Sequence, residues 1–460
     1  MIVVSHRGPY RFHRAEDGSF TAHRGAGGVV SALGPLLLDR EHDSKWIAAA
    51  LSDDDADGLE AGTAGPLGVD LRLLRLDKSL HRMHYDVVSN GVLWFLHHGL
   101  FDAVRRPRFD IHFREAWDGY VTVNQAFADA TLEAADADDV VLVQDYQLAL
   151  VPGMLREQRA DLRIVHFTHT PFAGPDAIRM LPTDVAGTLC RSLGTAPAGF
   201  HTARWEASYR AALREVLGTP AERVSSFAAS LGPDAAELAR VAASAQARAA
   251  TSQLADIVGE RLMILRIDRI EPSKNVVRGF LAFDRLLEAR PRLRGRVVFV
   301  ALLYPSREGL PEYLAYANEV EQVVARVNDR WATRDWVPIL LDFDDDFARS
   351  VAAMSRYDVL FVNPIRDGLN LVAKEGPLLN GRDGVLCLSR EAGAYEELRT
   401  ATLVLHPFDI EQMAVALDDS CSMPLDERAA RGARLRTLAA ARTPAAWLAD
   451  LLHHAGKEPD

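Results

Sequence analysis

A chain of 460 residues is too long for one ordinary hydrophobic core, so two domains are expected. Hydrophobic residues make up 48% and charged residues 25%, the balance of a soluble globular enzyme. A formal net charge of −12 argues against a nucleic acid or an anionic membrane as main partner, and no apolar run approaches the roughly 20 residues that cross a bilayer.

In chain order, Met1 leads straight into a candidate strand, Ile2–Ser5. No basic region precedes a longer apolar segment, so no signal peptide is expected and the expected compartment is the cytoplasm. Arg7 ends that strand, and Arg24-Gly25-Ala26-Gly27-Gly28 follows. Such glycines let backbone amides approach an anion at a helix start, and they serve equally as plain turns. Trp46–Ala49 is the next candidate strand. Val140–Gln144 ends on Asp145-Tyr146-Gln147, and Ile164–Thr168 ends on His169-Thr170-Pro171-Phe172. Singly, Asp145 reads as a cap and His169 as a core histidine. At equivalent strand exits they point together to a site.

Residues Ala235 to Ala255 are rich in alanine and read as a connecting segment and helix between two α/β halves. Second-half strand candidates are Met263–Leu265, Val297–Leu302, Val337–Leu341, Val359–Val362, Val385–Leu388 and Thr402–Leu405. Several are apolar throughout, the pattern of parallel strands covered on both faces. Ligands in such sheets bind in loops that follow the strands. After the first candidate comes Arg269-Ile270-Glu271-Pro272-Ser273-Lys274, two cations able to clamp a diphosphate or simply to face solvent. Arg307 adds a cation after the second. Arg366-Asp367-Gly368-Leu369-Asn370-Leu371-Val372-Ala373-Lys374-Glu375 follows the fourth: a loop carboxylate, free amides at a helix start and Glu375 one turn deeper. Trp447, Leu448, Leu451 and Leu452 share one face of a C-terminal helix. Cys190, Cys387 and Cys421 have no metal-type spacing, and no metal site is expected.

With these clusters in this order, the sequence resembles glycosyltransferase family 20, the trehalose-6-phosphate synthases. The likeness runs over nearly the whole chain and is strongest at Tyr85–Trp94, Gln144–Leu148, His169–Phe172, Arg269–Lys274 and Arg366–Glu375. The resemblance implies a GT-B fold, α/β, with two Rossmann-like doubly wound domains facing a cleft. Their expected bounds are residues 1–232 for acceptor binding and 233–430 for the nucleotide-sugar. A helical segment, 431–460, is expected to pack back on the first domain.

The implied activity is a retaining transfer of glucose from a nucleotide-glucose, with GDP-glucose favoured over UDP-glucose, to glucose 6-phosphate. GDP-glucose is favoured because Asp342, Asp344, Asp345 and Asp346 crowd the strand exit at which the family places its base. The resemblance assigns the acceptor to Arg7, Trp46, Tyr85, Trp94, Asp145 and Arg307. It assigns the donor to Gly27, Gly28, Arg269, Lys274, Asp367, Gly368, Leu369, Asn370, Leu371, Val372 and Glu375. Catalysis is assigned to Asp145, His169, Arg269 and Lys274. No cofactor is implied beyond the nucleotide-sugar co-substrate. The partners are these small molecules, with a separate phosphatase acting downstream and a homo-oligomer as the assembly. His6 departs from the family's usual asparagine. Two other readings share the fold: a pseudo-glycosyltransferase joining a nucleotide-cyclitol to an amino-cyclitol phosphate, and a non-catalytic sugar-phosphate sensor. The loop Arg366–Asn370 resembles the sugar-transferring version, and a sensor would be expected to lose a charged ligand, whereas none of the matched ones is missing.

Overall fold

The computed structural model describes residues 1–24, 30, 33–34, 44–63, 65, 69–218 and 224–456. They form two compact units, Met1–Leu231 with Pro444–Asp460, and Gly232–Thr443.

The first unit carries β1 (Ile2–Arg7), the hairpin β2 (Tyr10–Arg14) and β3 (Phe20–Arg24), β4 (Lys45–Ala49), β5 (Asp70–Leu74), β6 (Val140–Gln144), β7 (Arg163–Thr168), β8 (Ala198–Phe200) and β9 (Ser226–Ala228). All but the hairpin make one parallel sheet in the order β5-β4-β1-β6-β7-β8-β9. The central strand β6 is buried along its whole length and β1 and β7 nearly so, as strands covered on both faces are, whereas the edge strand β5 carries Asp70 and Arg72 and stays partly exposed. On one face Ile2, Val4, Val141 and Val143 pack with Val123 and Phe127 of the helix Ile111–Ala134 and with Val151 and Leu155 of the helix Val151–Gln158.

The second unit carries β10 (Leu262–Arg269), β11 (Val297–Tyr304), β12 (Ile339–Asp342), β13 (Val359–Val362), β14 (Val385–Ser389) and β15 (Leu403–Leu405). They form a parallel sheet in the order β12-β11-β10-β13-β14-β15. Strand order reverses between β1 and β6 in one sheet and between β10 and β13 in the other. At such a reversal the loops leave in opposite directions and open a crevice at the carboxyl ends of the strands.

Several elements differ from the sequence reading. β10 runs on through Arg266, Asp268 and Arg269, because Arg266 and Asp268 share one face of the strand and pair at 2.9 Å, with side chains 0% and 7% exposed. β12 starts after Pro338, which has no amide for a ladder, and takes in Asp342, whose carboxylate is held by Arg349 at 2.7 Å. The alanine-rich stretch is two helices of the second unit, Ala235–Ala242 and Ala245–Val258, capped by the side chains of Asp234 and Ser244. The helix Leu425–Ala440 also stays with the second unit, so the chain returns to the first at Pro444 rather than near residue 431. Buried Arg428 anchors it there through Asp358, 3.3 Å away, and the carbonyls of Arg382 and Asp383. The helix Pro444–His454 buries Trp447, Leu448, Leu451 and Leu452 in the first unit, Trp447 lying edge-on to Phe167. Among the described residues no helix is long and apolar enough to cross a membrane.

Candidate functional site

In the first unit the chemistry gathers where β1, β6 and β7 end. Arg7 closes β1, and its guanidinium donates to the Tyr85 hydroxyl at 3.1 Å. Tyr85 stands on a π-helix, Met83–Leu93, with its ring stacked on buried His6 at 4.5 Å and 12°. Burial first, then His84, His81 and Arg7, hold the His6 pKa far below the usual histidine range, so the stack is neutral. Trp46 and Trp94 are 0% and 2% exposed. Trp46 donates its indole N–H to Ser5 at 2.8 Å, and Trp94 packs on His98. Both lie in the core and present no exposed surface to a ligand.

Asp145 follows β6 with φ 68° and ψ 171°, a conformation essentially reserved for glycine. The surroundings hold it there. Its amide donates to the Phe167 carbonyl at 2.7 Å, and its carboxylate accepts from the amides of Tyr146 and His169, each at 3.1 Å. Tyr120 donates to the Tyr146 carbonyl at 2.6 Å, and the Tyr146 hydroxyl donates to Asn90 at 2.8 Å. Asn90 in turn donates to the Tyr85 carbonyl at 2.9 Å, so one buried residue ties the Tyr85 segment to the Asp145 loop.

His169 follows β7. Its Nε2 lies 3.0 Å from Gln144 Oε1 and its Nδ1 3.2 Å from His201 Nε2. With the Gln144 oxygen as acceptor, the proton sits on His169 Nε2, and Nδ1 accepts from His201. Burial, then His166, push its pKa down to about 3. His169 is therefore a neutral, fixed imidazole and not a cation. His201, Gln144 and Trp447, whose ring lies 5.8 Å from His169, complete this corner, and sequence reasoning singled out none of them for it. Only folding brings them together.

In the second unit the loops after β10 and β13 meet across the strand reversal. Lys274 pairs with Asp367 at 2.5 Å, the side chains 12% and 14% exposed. Burial opposes the Lys274 charge, but Asp367 and Asp268 outweigh it and raise its pKa. Arg266 donates to the Lys274 carbonyl from below. Asp367 also accepts from Asn370 at 3.2 Å, and Asn370, at φ 80°, accepts the Ala373 amide at 3.1 Å and caps the helix Val372–Leu379. The loop is zipped to the next one: Asp367 and Ala394 donate their amides to Glu391 and Leu369, and Gly393 donates to Asp367. A Cβ at Gly393 would meet the Gly368 carbonyl at 2.0 Å, so only glycine fits there. Leu369 is 4% exposed and packs inward. The amides of Leu371 and Val372 donate to no described residue and head the helix, the arrangement that receives a phosphate.

Glu375 lies one turn further on. Its carboxylate has no polar partner among the described residues, and burial alone raises its pKa from 4.5 to about 7. Arg269 and Arg307 both reach Glu271, at 2.8 Å and 3.3 Å. Arg307 thus lies in the second unit, whereas Arg7, Trp46, Tyr85, Trp94, Asp145 and His169 lie in the first. Gly27 and Gly28 fall outside the described residues.

The chain matches the model of glycosyltransferase family 20 over residues 1–457. It is 34% identical to a trehalose-6-phosphate synthase of Mycolicibacterium vanbaalenii, covering 100% of this chain and 96% of that one. Among solved structures it resembles a UDP-forming alpha,alpha-trehalose-phosphate synthase from Burkholderia vietnamiensis (TM-score 0.84, 28% identity, 98% and 99% of the two chains). It also resembles the enzyme of Burkholderia xenovorans in complex with glucose-6-phosphate (TM-score 0.84, 27% identity, 99% of each). The chain belongs to glycosyltransferase family 20. It is an enzyme of that family, and its two parallel sheets are those of the GT-B fold.

Two carboxylates of the acidic stretch at the end of β12 are already engaged. Asp342 is paired with Arg349, and Asp346 caps the helix Phe347–Met354. Asp344 and Asp345 are exposed. Sequence reasoning also gave Glu271 no role, although it sits inside a motif singled out for its cations.

Proposed function

We propose that this family 20 enzyme moves glucose from a nucleotide-glucose to glucose 6-phosphate with retention, giving trehalose 6-phosphate. The observation that carries the reading is the strand reversal at β10 and β13. There a mostly buried lysine stands with helix amides and a carboxylate that have no polar partner among the described residues. These are the parts needed for a leaving diphosphate and a ribose diol. Arg269 and Lys274 offset the charge that develops on the diphosphate, and the amides of Leu371 and Val372 meet one of its phosphates. Glu375 accepts from the ribose hydroxyls. Asp367 and Asn370 face the donor glucose, with Gly368 giving the close backbone approach.

Arg7, Tyr85 and Arg307 take the acceptor phosphate, and Asp145 orients the acceptor hydroxyls. The neutral His169 fixes the wall beside the donor sugar. The acceptor hydroxyl attacks the anomeric carbon on the face from which the diphosphate leaves, and its proton passes to a phosphate oxygen. The protein's part is positioning and fixed charge, with no metal in the scheme. A separate phosphatase then removes the product phosphate. The test is turnover with glucose 6-phosphate and each nucleotide-glucose, reading released nucleoside diphosphate and the disaccharide phosphate. No turnover with any donor sinks the reading. Arg7→Ala is expected to weaken glucose 6-phosphate by about 2–4 kcal/mol, the scale of a lost ion-paired hydrogen bond, with the donor KM little changed. Unaltered acceptor kinetics would remove Arg7 from the site.

For the donor base, guanine is the reading retained, and it now rests on Asp344 and Asp345. Either carboxylate could accept the adjacent N1–H and 2-amino donors that uracil lacks. The Burkholderia vietnamiensis relative is described as UDP-forming, so this is a specific departure. In Asp344→Asn and Asp345→Asn, kcat/KM for GDP-glucose should drop by about 1–3 kcal/mol in one of the two and stay level for UDP-glucose. A parent enzyme that prefers UDP-glucose ends this assignment and leaves the synthase reading standing.

A further inference from the structure

Arg269 ends β10 and Arg307 stands in the loop after β11, yet both place Nη1 on the same atom, Glu271 Oε1, at 2.8 Å and 3.3 Å. The Ser306 hydroxyl donates to that oxygen as well, at 3.1 Å. The Glu271 side chain is 1% exposed and that of Arg307 7%. The Arg269 side chain remains 40% exposed. Arg307 stands at φ 50°, a backbone conformation that a non-glycine residue keeps only when its surroundings enforce it. Its guanidinium also donates to the Tyr313 hydroxyl. Two guanidinium groups this close repel one another, and a buried carboxylate between them is the charge that keeps both in place.

We propose that Glu271 is a positioning residue that holds the donor-site and acceptor-site arginines as one unit, so that a single buried carboxylate sets the affinity for both substrates. The inference rests on the assignment of Arg269 to the diphosphate and Arg307 to the acceptor phosphate. Glu271 touches neither substrate; it acts by fixing the spacing of the two cations. Removing its charge releases both, while removing either arginine affects one substrate.

The test is steady-state kinetics of the full chain carrying Glu271→Gln, Arg269→Ala, Arg307→Ala and the two double variants. Glutamine keeps the shape and an acceptor oxygen, and thermal unfolding checks that it folds as the parent does. The expected result is a rise of tenfold or more in both KM values for Glu271→Gln. Arg269→Ala should raise mainly the donor KM, and Arg307→Ala mainly the acceptor KM. Each double variant should lose less than the product of its single losses, a signature that a merely structural role does not produce. If the two arginine variants split as stated but Glu271→Gln moves one KM or neither, the proposal is overturned. Multiplicative losses in the double variants overturn it too. If the arginine variants do not split between substrates, the site assignment itself fails, and the proposal with it.

Discussion

Lys274→Met is expected to lower kcat by about 10²–10³-fold, the scale of removing one preorganised group from a developing charge. The structure separates this loss from a folding defect. Lys274 and Asp367 are a mostly buried pair, and methionine removes the cation that faces the carboxylate, at a cost of about 3 kcal/mol. The double variant Lys274→Met/Asp367→Asn removes both charges of the pair, and Asn370 can still bond to the amide at position 367. It should recover most of the unfolding temperature and none of the turnover. Turnover near the parent's in Lys274→Met would move the diphosphate site elsewhere.

Glu375 carries the second large effect, on stability as well as binding. Its pKa is about 7 in the folded chain against 4.5 ordinarily. Between those values the folded state keeps a proton that the unfolded state has lost, so stability falls as pH rises through this window and levels off above about pH 7. The gap corresponds to about 3 kcal/mol. Glu375→Gln removes the penalty. It should therefore unfold later than the parent at pH 8, by up to that amount, and match it near pH 4. Nucleotide binding runs the opposite way. A ribose diol donates to the ionised carboxylate, so the parent's affinity for a nucleoside diphosphate should rise with pH up to about 7 and then flatten. The glutamine variant should bind weakly with no such slope. Denaturation at both pH values and calorimetric titration of the diphosphate check this. A variant no more stable at pH 8 than the parent would show that the carboxylate is not desolvated.

Both residues were legible in the sequence as members of motifs at strand exits, because an apolar strand followed by a charged loop marks the carboxyl edge of a parallel sheet. Their states were not. That Lys274 meets Asp367, and that the Glu375 carboxylate meets no polar partner among the described residues, depends on which loops the reversal at β10 and β13 brings together. Glu271 was hidden for the same reason: a carboxylate between two cations of one motif looks like surface charge until Arg307 arrives from β11. His201 had no local signal, and Trp447 was legible as a packing residue of the last helix but not as a neighbour of His169. The charged end of β10 resembled loop because the pairing of Arg266 with Asp268 is a tertiary fact. The π-helix around Tyr85 has the same residues an α-helix would use, and its hydrogen-bond register cannot be read from apolar spacing. Most strand cores and the two α/β halves were legible because they follow from hydrophobic patterning; β5, β8 and β9 were not.

The return of the chain at Pro444 has a consequence for how the molecule is made. The second unit is continuous, from Gly232 to Thr443, and every strand and helix it needs leaves the ribosome in one stretch. The first is not: Trp447, Leu448, Leu451 and Leu452 are built into its interior, with Trp447 set against Phe167 and His169. The half translated first therefore cannot complete its core alone: it exposes the apolar surface that Trp447 covers until the helix Pro444–His454 has been made and docks beside His169. Until then that surface is open to chaperones and to misassembly.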